Sequence, residues 1–82
     1  MIPDMSVADL VTAQLAEALS VAPDQIRPEQ RLPHLPNADS LRLLVAISAT
    51  TRELGVQVDE AELLTARTVA DLIGVFERAR QA

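Results

Sequence analysis

The chain has 82 residues, 49% of them hydrophobic, which is enough for one modest core and too few for two domains. Twelve acids face seven arginines and no lysine, and the net charge of −5 argues against the basic surface that nucleic-acid binding requires. The absence of cysteine excludes disulfides, thiolate metal ligands and a cysteine nucleophile. Phe76 is the sole aromatic residue, so the core must be built from Leu, Val, Ile and Ala, a set suited to helix-on-helix packing. The amino-terminal "MIPDMSVADL" has no basic segment followed by an apolar stretch, and no apolar run approaches a membrane span. The expectation is one soluble, cytoplasmic domain over residues 1–82.

The first helix is expected from about Ser6 to Leu19. Ser6-Val7-Ala8-Asp9 has capping-box spacing, and Val7, Leu10, Val11, Leu15, Ala18 and Leu19 recur on one face. Pro23 is read as blocking any continuation. From Val21 to Ala38 the prolines at 23, 28, 33 and 36 rule out a long helix or a central strand. Val21, Ile26, Leu32 and Leu35 are spaced through this segment like anchors, so it is expected to be an ordered loop pinned to the core.

A second helix is expected to start at Asp39 or Ser40 and end near Leu54, with Gly55 as its stop signal. Leu43, Ile47, Thr50 and Leu54 would bury one face. Leu41, Leu44 and Val45 carry apolar surface round the other side, which reads either as a broad core face or as a docking patch. A short element, Asp59 to Leu64, has Asp59 and Glu62 at capping-box spacing. The last helix opens with the cap Thr68-Val69-Ala70-Asp71 and continues with the buried stripe Val69, Leu72, Ile73 and Phe76. Gly74 weakens this helix without breaking it. The fold class is all-α, a small four-helix bundle of three main helices and one short one, with a long ordered first loop.

Ser40 is the residue on which function turns. Asp and Ser are both preferred helix caps, but one suffices. If Asp39 caps, the Ser40 hydroxyl points to solvent, and a phosphate ester there would meet unsatisfied N–H groups and the positive helix end. A nucleophilic serine would need an aimed base, an orienting carboxylate and an oxyanion hole. The only histidine, His34, lies in the proline-rich loop and reads as solvated, and the Gly-x-Ser-x-Gly setting is missing. The acids of "VDEAEL" fit capping and a solvated face, not a calcium loop. No metal site is expected.

Asp39-Ser40-Leu41 at the head of the second helix resembles the attachment motif of acyl and peptidyl carrier proteins. "LSVAPDQIRPEQRL" is similar to that family's long first loop, "ELGVQVDEAEL" to its link into a short third helix, and "TVADLIGVF" to the start of its last helix. The resemblance covers essentially the entire chain. It implies a non-catalytic carrier whose Ser40 is esterified with 4′-phosphopantetheine from coenzyme A by a phosphopantetheinyl transferase. The arm's thiol would hold acyl, aminoacyl or peptidyl groups as thioesters. Asp39 would help the transferase engage, and Leu41, Arg42, Val45 and Ser48 would face partner enzymes that load, condense or tailor the cargo. Asn37 stands where the family often has glycine, and it tolerates the left-handed turn required there.

Carriers of fatty-acid synthesis typically line the second helix with acids. Here Ser40–Leu54 holds Arg42 and Arg52 against the lone Glu53. That composition points to polyketide or nonribosomal-peptide enzymes docked through apolar contact. The initiating methionine favours a free-standing carrier, and a monomer is expected. The rival reading is an unmodified helical docking or scaffolding domain that binds a partner through the same apolar helix, with Asp39-Ser40 as a cap only.

Overall fold

A computed structural model describes residues 6–81. The extreme amino terminus, on which the expectation of no secretory signal rests, lies outside the described residues. Four α-helices follow in order, α1 (Val7–Leu19), α2 (Ser40–Leu54), α3 (Glu60–Thr65) and α4 (Val69–Gln81). The long segment between α1 and α2 contains two short 3-10 turns, Pro23–Gln25 and Leu32–His34, each with proline at its start.

Local chemistry sets most helix ends. The Ser6 hydroxyl accepts the Asp9 N–H at 3.1 Å and opens α1. At its other end the helix stops at Leu19, as expected, and it closes before Pro23 is reached. Ser20 turns left-handed at φ 58°, and the Val21 N–H bonds back to the Ala16 carbonyl at 3.0 Å, a closed helix terminus. α2 ends the same way at Gly55, φ 64°, with the Val56 N–H on the Thr51 carbonyl at 3.3 Å. Asp59 caps α3, as expected. The Asp59 carboxylate accepts the Ala61 N–H at 2.8 Å, so the Asp59–Glu62 capping box does not form and Glu62 is left to reach elsewhere.

At the head of α4 the box is reciprocal. The Thr68 hydroxyl accepts the Asp71 N–H, and the Asp71 carboxylate accepts the N–H groups of Arg67 and Thr68. Those two backbone donors, Arg67 first, hold the Asp71 carboxyl below its usual range. Stability from this cap is therefore complete above the ordinary aspartate range and is lost as pH falls through the lowered value. In urea unfolding between about pH 5 and about pH 2, wild type should lose stability more steeply than Asp71→Asn. The variant keeps an acceptor at that position but does not titrate. Parallel curves would show that other acids control the acid limb.

The core joins α1, the loop, α2 and α4. Val11, Leu15 and Leu19 of α1 pack with Val69, Leu72 and Phe76 of α4 and with Ile26, Leu32 and Leu35 of the loop. The loop is thus pinned as expected, although Val21 is only partly buried. A backbone pairing between Arg31 and Thr68 adds to it. The carbonyls of Gln30 and Pro28 accept the Val69 and Ala70 N–H groups at 3.0 and 2.9 Å, supplying acceptors that the helix start cannot. Two details of the faces differ from expectation. Ala16 is buried where Leu10 and Ala18 are only partly so, and Val75 is buried where Ile73 is partly so. In each case the buried face is turned by less than the step of about 100° between successive helix residues, because the packing partners of a helix, and not its own pattern alone, choose the centre of its buried face.

Candidate functional site

The site is built at the junction of the loop and α2. Leu35 is buried, and beyond it the chain turns through Asn37 at φ 61°. Asparagine is one of the few non-glycine residues that occupy this left-handed region readily. Its side chain has a further task, since Nδ2 donates to the Leu19 carbonyl at 2.9 Å. That bond anchors the entry to α2 on the last turn of α1. Packing between α1 and α2 is the most extensive of any helix pair here, so the residues that follow sit on a braced element.

Asp39 is the cap. Its backbone is extended, at φ −145° and ψ 169°, and its Oδ1 accepts the Arg42 N–H at 2.7 Å. Oδ2 lies 3.5 Å from Arg42 Nε, an exposed ion pair that draws the guanidinium toward the cap. Ser40 is therefore the first helical residue and is exposed. Its hydroxyl is not needed for capping. Helix geometry gives the N–H groups of Ser40 and Leu41 no intrahelical acceptor, and the helix dipole favours an anion beside them by roughly 0.3–1 kcal/mol. A phosphodiester on Ser40 fits this setting, with room outward and donors behind.

Beyond Ser40, α2 divides cleanly. Ala46 and Thr50 are buried, with Leu43, Ile47 and Leu54 partly so. The Thr50 hydroxyl donates to the Ala46 carbonyl at 2.8 Å, so burial leaves no polar atom unpaired. Leu41 is 71% exposed, Leu44 57% and Val45 53%. This resolves the two readings of the apolar surface: it is not core. Leu41, Val45 and Ser48 fall at i, i+4 and i+7 on one exposed face, and Arg42, also exposed, is turned toward Asp39. The first turn of α2 carries no acid beyond its cap, and its last turn carries Arg52.

Sequence reasoning missed two features. One is the Asn37 bond to Leu19, 18 residues away, which no local pattern signals. The other is the exposure of Leu64 in α3, a large apolar side chain 87% open to solvent. His34 is exposed in its short turn. Among the described residues there is no group of three or more His, Cys, Asp or Glu able to hold a metal, and no helix is long and apolar enough to cross a membrane.

The helix start is thus braced and offers one spare hydroxyl beside an unburied apolar strip. Residues 9–76 match the phosphopantetheine attachment site family. The chain is 29% identical over 73 residues to an acyl carrier protein of Helicobacter hepaticus, covering 89% of this chain and 96% of that one. It is 34% identical over 67 residues to an acyl carrier protein of Thermosynechococcus vestitus, covering 82% and 83% respectively. The chain belongs to the acyl carrier protein family. Members of that family catalyse nothing themselves and carry a covalent 4′-phosphopantetheine, whose thiol holds the acyl group as a thioester. They work with a phosphopantetheinyl transferase and with acyl-handling enzymes. The unmodified scaffolding domain is thereby set aside.

Proposed function

We propose that Ser40 is the residue that carries the phosphopantetheine arm, with Asp39 presenting it to the transferase. The observation that carries this reading is the division of labour at the helix start. Asp39 takes the cap at 2.7 Å, and Ser40 stands next to it exposed and unengaged. Holding the cargo on a short tether raises its effective concentration at each docked active site, so the protein needs no catalytic groups of its own. Peptide mapping by mass spectrometry, after co-expression with a broad-specificity transferase, tests the assignment. The added group should fall on the peptide containing Ser40 and on no other. A modified peptide lacking Ser40 overturns it.

This carrier serves polyketide or nonribosomal-peptide enzymes in the cytoplasm, acting as a monomer. In support, the exposed face of α2 offers Leu41, Val45 and Ser48 in place of an acidic row, and the helix holds two arginines against one glutamate. Loading assays discriminate. Enzymes that load or extend polyketide or peptide chains should accept the modified carrier better than fatty-acid-synthase enzymes do, and the reverse order overturns the assignment.

A further inference from the structure

α3 is held in place by very little. It has six residues, none of them buried; only Leu63 among them packs partly buried against the core, joined by the cap residue Ala66. Isolated helices shorter than about 12–15 residues are marginal in water, so α3 depends on tertiary ties for its existence. One such tie is an ion pair across 16 residues of sequence, Arg78 Nε to Glu62 Oε1 at 2.9 Å. Side chains on a helix lean toward its amino terminus, so Arg78 lies back over position 74. A glycine stands there. A Cβ at Gly74 would sit 3.3 Å from Arg78 Nη1, closer than nearly all such contacts, so the glycine leaves the guanidinium space to pass. This accounts for a residue that otherwise only weakens α4. Beneath Arg78 and Glu62 runs a groove of about 260 Å³ between α3 and α4, floored by Ala66, Ala70, Gly74 and Val75.

We propose that Arg78, laid across Gly74 to Glu62, is a strap that keeps α3 seated on α4 and sets how often α3 lifts from the bundle. Lifting uncovers Leu63 and Ala66 and opens the groove. Both partners are exposed, so the strap is loosened by salt and by any neighbouring charge that competes for either end. The inference is independent of which serine carries the arm.

Hydrogen exchange on the whole chain tests it. The Leu63 and Ala66 amides are the probes, bonded to the carbonyls of Asp59 and Glu62 at 3.1 and 3.2 Å. Leu15 in α1 and Phe76 in α4 serve as references. Glu62→Gln and Arg78→Met should each speed exchange at the two probes by roughly 2–5-fold, the range of exposed ion pairs, and leave the references unchanged. Glu62 also lies in the first turn of α3 and Arg78 in the last turn of α4, where the helix dipoles favour them. The double variant separates these effects. It should exchange much more slowly than the product of the two single effects, because the pair is lost only once. Salt at about 1 M should speed the probes in wild type and not in the double variant. Unchanged probes, multiplicative single effects, or equal acceleration at Leu15 overturn the strap.

Discussion

Ser40→Ala should abolish loading: on the proposed assignment no transferase would add a phosphopantetheine arm to the variant, and no thioester would form on it. The expected loss is complete, because the ester needs the hydroxyl oxygen and no second serine shares the position. Ser6 is occupied as a cap, Ser20 sits in a left-handed helix terminus, and Ser48 lies two turns into α2. The fold should scarcely notice. Removing a true Ser cap costs about 0.5–2 kcal/mol, whereas an exposed first-turn change usually stays within about 0.5 kcal/mol. Asp39 is the cap here, so urea unfolding of the unmodified proteins should place the variant in the second class. A stability loss above about 1 kcal/mol would mean that Ser40 supports the helix start after all. Unimpaired modification would remove Ser40 from the mechanism.

The second large effect concerns docking. Replacing Leu41 or Val45 by Asp should cut transfer of cargo to a partner enzyme by about tenfold or more, equivalent to about 1.4 kcal/mol. These side chains are 71% and 53% exposed on the free carrier, and a partner that covers them gains about 25 cal/mol per Å² of apolar surface. An aspartate at either position must be desolvated instead, which reverses the sign of the contribution. Arg42→Ala should matter less, since the guanidinium already engages Asp39 at 3.5 Å. Salt supplies an independent axis. Exposed charges are screened beyond about 8 Å at physiological ionic strength and beyond about 3 Å at 1 M, whereas apolar burial does not weaken in this way. Carrier–partner affinity across a salt titration should therefore stay nearly flat. A steep decline, or a dominant loss from Arg42→Ala, would assign docking to charge.

Both expectations use the exposed half of α2, and that half was only partly legible beforehand. Leu41, Leu44 and Val45 are as apolar as Leu43 and Ile47, and hydropathy alone does not say which group faces inward. The same limit explains why Ala16 and Val75 are buried where Leu10 and Ile73 are only partly so.

What the sequence determined by itself is local. Asp39 accepts from Arg42, Ser6 from Asp9 and Thr68 from Asp71, all three residues apart, and Gly55 closes α2. Such contacts form within one turn of chain, so residue type and spacing suffice to read the starts of α1, α2 and α4 and the placing of Asp39-Ser40-Leu41 at one of them. What the tertiary structure alone decided lies between distant residues. The Asn37 amide reaches the Leu19 carbonyl, the Gln30 and Pro28 carbonyls cap α4, and Arg78 crosses Gly74 to Glu62. Each joins positions 16 or more apart, and so exists only once α1, the loop, α3 and α4 have packed. Their angles of approach are set by the shared core around Phe76, not by any residue in the pair.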